Sequence, residues 1–223
     1  MKVIVIEGID GCGKETQSKL LYKYLKGRGL NVLLQSFPNY RNKSSALVKM
    51  FLNEEFGTGI NELNYYQSSL LFTVDRLVTF KTDLRNLPED TILILDRYVQ
   101  SNLLYELPLI NNEKEREDYK EWLYDLEYSK LGLPKPDIVL YLDVPADISI
   151  KLREKRNTNK SEQEKDIYES NNRYLEKVYN IGKELIKEEH WTVINCINNS
   201  ELKSINEINK DIINKVLNVL KLS

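Results

Sequence analysis

The stretch "EGIDGCGKET" (Glu7–Thr16) decides the fold. It follows the apolar run "KVIVIE" (2–7) and runs into a helix pattern with Leu20, Leu21, Tyr24 and Leu25 on one stripe. It matches G-x-x-x-x-G-K-[ST] at Gly8, Gly13 and Lys14, and departs from it at Glu15, where a hydroxyl would normally meet a metal ion. Strand, glycine loop, lysine and helix in this order make a phosphate-binding loop. Backbone N–H groups of Gly11 to Lys14 point into a concavity, and the positive end of the helix adds to the attraction. Gly8 and Gly13 lack the Cβ that would block close approach, and Lys14 brings a charge to the phosphates. A carboxylate cannot donate to a phosphate, so Glu15 is expected to face outward as a first-turn acid favoured by the helix dipole. Thr16 then offers the nearest hydroxyl. Cys12 is expected to be a small loop residue rather than a reactive thiol.

Apolar runs recur at "NVLLQ" (31–35), "TILILD" (91–96), "DIVLYLD" (137–143) and "WTVIN" (191–195). Amphipathic segments separate them, including one with Leu63, Leu70, Val74 and Leu77 and a closing one from Ile205 to Val219. The alternation predicts an α/β fold: a five-stranded parallel sheet with helices on both faces. No Pro/Gly/Ser linker divides the 223 residues, so one domain over 1–223 is expected. The polar, strand-free "REKRNTNKSEQEKD" (153–166) is a candidate lid.

Composition narrows the partners. Hydrophobic residues make up 41% and charged residues 30%, within the ordinary range for a globular chain. A formal net charge of −2 gives no reason to expect nucleic acid as a partner, so positive charge for an anionic ligand must be local. Cys12 and Cys196 have no metal-ligand spacing and suggest free thiols in a reducing compartment. No apolar run reaches the length of a membrane span, and Met1 leads straight into a strand without a signal-peptide pattern. A cytoplasmic protein is expected.

Further motifs follow in order: "FPNY" (37–40), "LLFTVDR" (70–76), "LDRYVQSNLLY" (95–105), "GLPKPD" (132–137) and "DIYESNNRYLEKV" (166–178). Phe72 and Arg76 stand at i and i+4 on one helix face, where a ring and a guanidinium can grip one planar ligand. Asp96 ends a strand at the carboxyl edge of the sheet, where ligands gather. Together these motifs resemble the thymidylate kinase family of nucleoside monophosphate kinase-like P-loop enzymes, from Val3 to about Trp191. The resemblance implies transfer of the γ-phosphate of ATP to dTMP, with Mg²⁺ and a homodimer built on helices carrying Ala46 to Leu52 and Leu63 to Val78.

Residue by residue, the resemblance gives the loop Gly8, Ile9, Asp10, Gly11, Cys12, Gly13, Lys14, Glu15 and Thr16 to ATP. It gives Phe37, Pro38, Tyr40, Phe72, Arg76, Arg97, Ser101, Asn102 and Tyr105 to dTMP: stacking by Phe72, base contacts from Arg76, Ser101 and Asn102, and Tyr105 under the deoxyribose. Arg97 bonds the acceptor and transferring phosphates, which suit planar guanidinium donors. Asp10, Asp96 and Glu169 are the candidate metal ligands, and Tyr40, followed by Arg41, replaces an arginine that some members carry. Others place a catalytic arginine where this chain has Gly11. Here the lid must supply the charge, from "KLREKR" (151–156), with Arg156 first and Arg153 second beside Lys14, Asp10 and Arg97. Asp166, Tyr168 and Glu169 match the motif after the lid. Two other functions stay in view: a kinase for another deoxynucleotide or deoxynucleoside, and a P-loop ATPase or switch protein. The first lacks this combination of motifs. The second calls for a Ser or Thr directly after the lysine.

Overall fold

The computed structural model describes residues 1–156, Tyr168 and 171–222, with Arg156 described by its backbone alone. Among these residues, five strands form a single parallel sheet in the order β2-β3-β1-β4-β5. They are β1 (Lys2–Glu7), β2 (Val32–Ser36), β3 (Ile92–Asp96), β4 (Ile138–Asp143) and β5 (Thr192–Asn195). β1 and β3 are buried along almost their whole length, as continuous Val/Ile/Leu runs must be when both faces of a parallel sheet are covered. A short antiparallel pair, β6 (Ile197–Asn198) and β7 (Glu201–Leu202), follows β5.

Right-handed crossovers fix the side on which each helix lies. α1 (Lys14–Gly27) and α8 (Ile205–Leu220) share one face. They are tied together by Gln17, which donates to Ile205 O at 3.0 Å and accepts from Asn209 Nδ2 at 3.0 Å. α2 (Ala46–Leu52), α3 (Tyr65–Lys81), α4 (Val99–Glu106), α5 (Glu113–Tyr124), α6 (Ala146–Arg156) and α7 (Asn172–Glu188) follow the crossovers to the other face. The register pairs Ile6 with Asp96, so the loops after β1 and β3 leave the sheet side by side. This juxtaposition positions the site.

Two helix stripes differ from expectation. On α1 the buried line is Gln17, Ser18, Leu21 and Leu25, while Tyr24 turns outward under Arg28. On α3 the amphipathicity is inverted. Ser68, Ser69, Thr73, Asp75, Arg76 and Thr79 are buried, whereas Leu70 and Val74 are 43% and 40% exposed. Phe72 and Arg76 of this face line the cavity, and its other buried polar groups find partners on neighbouring elements. Ser69 shares a hydrogen bond with Tyr119 at 2.7 Å, and Thr73 donates to Glu127 at 2.6 Å. α6 stays helical through Arg156, into the first residues of the stretch expected as a lid.

α7 approaches β4 closely at Gly182, where a Cβ would lie 2.2 Å from the hydroxyl of Tyr141. That hydroxyl has no hydrogen-bond partner among the described residues, and the buried ring stacks on Trp191. Gly182→Ala should therefore destabilise by about 1–3 kcal/mol through overpacking. At an unobstructed helix site the same change gains about 1 kcal/mol. Tyr141→Phe removes the nearest, unpartnered oxygen but leaves the ring's Cζ at 2.7 Å, so it should restore only part of the stability of the double variant. Urea denaturation of the three variants checks this; a stabilised Gly182→Ala single variant would show that the contact does not constrain the helix.

Candidate active site

The loop after β1 is anchored by Ile9, which is fully buried, and turns through positive φ at Gly8, Gly11 and Gly13. α1 begins without a side-chain cap, which leaves its first amides available to an anion. Lys14 opens the helix and folds back, donating to Gly8 O at 2.8 Å and Ile9 O at 2.9 Å. Glu15 faces outward and pairs with Lys19 at 2.5 Å, one helical turn on. Thr16 is exposed in the same turn. Cys12 is buried, and burial pushes its thiol pKa up, away from reactive-thiol chemistry.

Across the loop stands the turn after β3. Arg97 has φ 67°, a left-handed conformation costing a non-glycine residue roughly 1–2 kcal/mol. Its amide donates to Ile6 O at 3.1 Å, and its guanidinium forms an ion pair with Asp10. Burial works to raise the Asp10 pKa, but the charges of Arg97 and Lys14 outweigh it and hold the group at about 2. Arg97 moves the opposite way: burial would lower its pKa, and the charge of Asp10, joined by Tyr105, Glu7 and Asp96, raises it well above the usual value. Asp96 is buried beside them and accepts from Ser36 Oγ at 3.1 Å.

The third wall of this end is α6. A Cβ on Gly11 would sit 2.4 Å from the carbonyl oxygen of Ser149 and 3.2 Å from Cβ of Arg153. Arg153 is buried beside the loop and donates from Nη2 to Asn172 Oδ1, while its Nη1 has no partner among the described residues. The side chain of Arg156, most of the expected lid, Asp166 and Glu169 lie outside the described residues. Among the described residues no three His, Cys, Asp or Glu side chains converge as a metal cage.

A single cavity opens from this charged end. Phe37, Pro38, Tyr40, Phe72, Arg76, Arg97, Ser101, Asn102 and Tyr105 all line it, together with Asp10. The loop carrying Phe37 to Tyr40 is held by Asp75, which accepts from the Asn39 amide at 2.7 Å and Ser44 Oγ at 2.6 Å. Arg97 sits over the ring of Tyr105 at 5.5 Å, next to the charged end. Arg76 is buried and Phe72 partly so, with the rings of Phe72 and Phe51 in a T-shaped contact. Two polar side chains are engaged otherwise than the sequence suggests. The Ser101 hydroxyl lies 3.0 and 2.9 Å from the two carboxylate oxygens of Glu7, rather than being free toward the cavity. Asn102 Oδ1 accepts from Arg76 Nη2 at 2.8 Å.

Three buried acids escaped the sequence reading. Glu7 ends β1 and accepts from the Tyr98 amide at 2.9 Å, thereby supporting the turn that carries Arg97. Burial raises its pKa, against the opposing charges of Arg97 and Lys14. Its signal was an acid closing an otherwise apolar buried strand. Glu127 pairs with Arg76. Glu106 lines the cavity beside Tyr168, whose hydroxyl donates to Oε1 at 3.3 Å. Burial lifts the Glu106 pKa to about 8, while Ser68 and Tyr168 act to lower it.

The Glu106 shift has a definite sign in stability. The folded chain keeps a proton that the unfolded chain releases at the ordinary carboxylate pKa, so folding loses stability as pH rises from about 4.5 toward about 8. Glu106→Gln should remove that loss, and its stability advantage over the parent chain should grow between pH 5 and pH 8.5. Urea midpoints measured across this range check the expectation; parallel curves would mean that Glu106 titrates normally.

A family model described as thymidylate kinase matches residues 6–212. The chain is 29% identical over 218 residues to thymidylate kinase of Plasmodium falciparum, covering 98% of this chain and 90% of that protein. It is 33% identical over 163 residues to a probable thymidylate kinase of Pyrococcus abyssi, covering 73% of this chain and 74% of the other. The solved structure of thymidylate kinase from Candida albicans superposes with a TM-score of 0.68 at 22% identity, over 99% of this chain and 92% of that one. The likeness in fold agrees with the loop after β1 and the strand order. With the family model spanning nearly all of it, the chain belongs to the thymidylate kinase family.

Proposed function

We propose that the chain transfers the γ-phosphate of ATP to dTMP, giving dTDP and ADP, as one domain over residues 1–223 with a lid after α6. The observation that carries this is the Asp10–Arg97 pair, which joins the phosphate loop to the acceptor cavity at one edge of the sheet. Phosphoryl transfer asks for alignment and charge neutralisation more than covalent chemistry. A phosphate oxygen of dTMP forms the new bond to the γ-phosphorus. The bond to the bridging oxygen breaks, and ADP leaves with the electron pair. The attacking oxygen is already anionic, so the step needs no general base.

Roles follow from position. Lys14 exchanges the carbonyls of Gly8 and Ile9 for phosphate oxygens, while the loop amides cradle the triphosphate. Arg97 reaches the acceptor and transferring phosphates from its place between the loop and the cavity, with Phe37, Pro38 and Tyr40 shaping the acceptor side. Phe72 and Arg76 hold the base, with Asn102 beside Arg76, Ser101 close by and Tyr105 under the sugar. Arg153 supplies charge to the transferring group; its place on α6 against Gly11 and a buried Nη1 without a partner among the described residues support this role, and Arg156 keeps a second claim from the family resemblance. Mg²⁺ accompanies ATP. Asp10 and Asp96, with Glu169 assigned by resemblance, form a sparse donor set, which fits an ion held largely by phosphates and water. Asp10 and Asp96 would hold it, and when bound it neutralises charge on the β- and γ-phosphates.

A homodimer is supported by the outward apolar stripe of Leu47 on α2 and Leu70 and Val74 on α3. A cytoplasmic setting is supported by the two free buried cysteines. No described helix is long and apolar enough to cross a membrane, and the net charge of −2 argues against nucleic acid as a partner.

A coupled assay of ADP formation with ATP–Mg²⁺ tests the activity. Turnover should be fastest with dTMP among dTMP, dUMP, dCMP, dGMP and thymidine; comparable turnover of thymidine would reassign the chain to nucleosides. Arg153→Ala should lower kcat by roughly 10²–10⁴ with a much smaller change in KM for dTMP, as for other electrostatic donors. A folded Arg153→Ala variant with full kcat removes this role. For the dimer, Leu70→Glu with Val74→Glu should convert a two-chain species to one chain in sedimentation; a monomeric parent would refute the assembly.

A further inference from the structure

Glu127 has no part in the roles above, yet it is fully buried against one of them. It lies in a π-helical turn, Asp125–Lys130, that continues α5. Such turns are rare and cluster at functional sites, because the extra residue per turn re-aims a side chain. Here the side chain is a carboxylate aimed at Arg76. Arg76 Nε donates to its two oxygens at 3.1 and 3.2 Å, and Nη2 donates to Oε1 as well. Thr73, one turn earlier on α3, donates to the same Oε1 at 2.6 Å.

The remaining donors of Arg76 are nearly all committed. Nη2 also donates to Asn102 Oδ1 at 2.8 Å. Nη1 makes one long contact among the described residues, 3.4 Å to the carbonyl of Tyr98. A guanidinium whose charge is balanced and whose Nε and Nη2 are occupied is a poor receptor for an anion. It is a single directed N–H donor. Such a donor suits a carbonyl oxygen and opposes an amino group presented at the same point, the kind of polar mismatch that discriminates strongly in a buried site.

We propose that Glu127 is the positioning residue that converts Arg76 into one directed donor, and that it thereby sets the preference for a base bearing a carbonyl over one bearing an amino group at that edge. The proposal rests on the placement of the base against Phe72 and Arg76 given above. Glu127→Gln keeps the shape of the side chain, removes the balancing charge and turns one acceptor into a donor facing Arg76.

Steady-state kinetics on Glu127→Gln, Arg76→Ala and the double variant, with dTMP and dCMP as acceptors, test it. Glu127→Gln should raise KM for dTMP about 10–100-fold, change kcat less than about threefold and leave KM for ATP unmoved. The ratio of kcat/KM for dTMP over dCMP should fall about tenfold or more. Because Glu127 acts through Arg76, the double variant should lose no more than Arg76→Ala alone. A folded Glu127→Gln enzyme with the parent's KM and acceptor ratio overturns the proposal, and so do additive losses or an equal rise in KM for ATP. An Arg76→Ala variant without effect removes the base placement and this proposal together; a damaging Arg76→Ala with a silent Glu127→Gln removes this proposal alone. Should Glu127→Gln fail to fold, Thr73→Val deletes the hydroxyl that donates to Oε1 at 2.6 Å and lies at the 3.5 Å margin of Arg76 Nη2. It should raise KM for dTMP a few-fold with KM for ATP constant, and no change would overturn the proposal.

Discussion

The ion pair between Asp10 and Arg97 organises the site, because each residue belongs to a different strand's exit loop. β1 and β3 are neighbours in the sheet, paired from Lys2 with Ile92 through Ile6 with Asp96. That register leaves the two loops adjacent, and the pair then locks one against the other. Glu7 reinforces the lock from beneath by accepting the Tyr98 amide. The left-handed backbone of Arg97 is tolerated within this frame, since its own amide is satisfied by Ile6. Strain of this kind persists where surrounding contacts over-determine the conformation.

A second theme is compensated charge. The chain carries a formal net charge of −2, yet its site has to receive anions. Three of the cations at the site come with a local counterpart: Lys14 with loop carbonyls, Arg97 with Asp10, and Arg76 with Glu127. Phosphates can replace the carbonyls around Lys14, and they can share Arg97 with Asp10. Arg76 differs because its partner is fully buried and binds it through Nε and Nη2. Removing one member of such a pair strands a charge away from water, at a cost that exceeds the net worth of the intact pair. Charge at the loop end of the cavity is therefore exchangeable, and charge around Arg76 is fixed.

The sheet was legible because parallel strands buried on both faces are written as unbroken Val, Ile and Leu runs. "TILILD" and "DIVLYLD" needed almost no adjustment at their ends. The phosphate loop was legible for a similar reason, since its geometry is local and demands glycines at fixed spacing. α3 was legible as two-faced, and only the structure says which face is buried: Leu70 and Val74 point outward while Asp75 and Arg76 are buried. Periodicity reports that a helix has two faces, not which one a cavity will claim. Glu106 and Glu127 were silent because a buried acid is defined by partners distant in sequence: Arg76 stands 51 residues from Glu127, and Tyr168 stands 62 from Glu106. The π-turn that delivers Glu127 has no composition signature at all.

The contact between Gly11 and α6 bears on how such an enzyme can change its lineage. Any side chain at Gly11 meets the backbone carbonyl of Ser149, which no rotamer change can move aside. The left-handed φ of 90° adds a second objection to every residue but glycine. An arginine at this position would fit only after the first part of α6 had shifted. The packing of the helix onto the glycine therefore behaves as a ratchet: position 11 stays glycine for as long as α6 keeps its place.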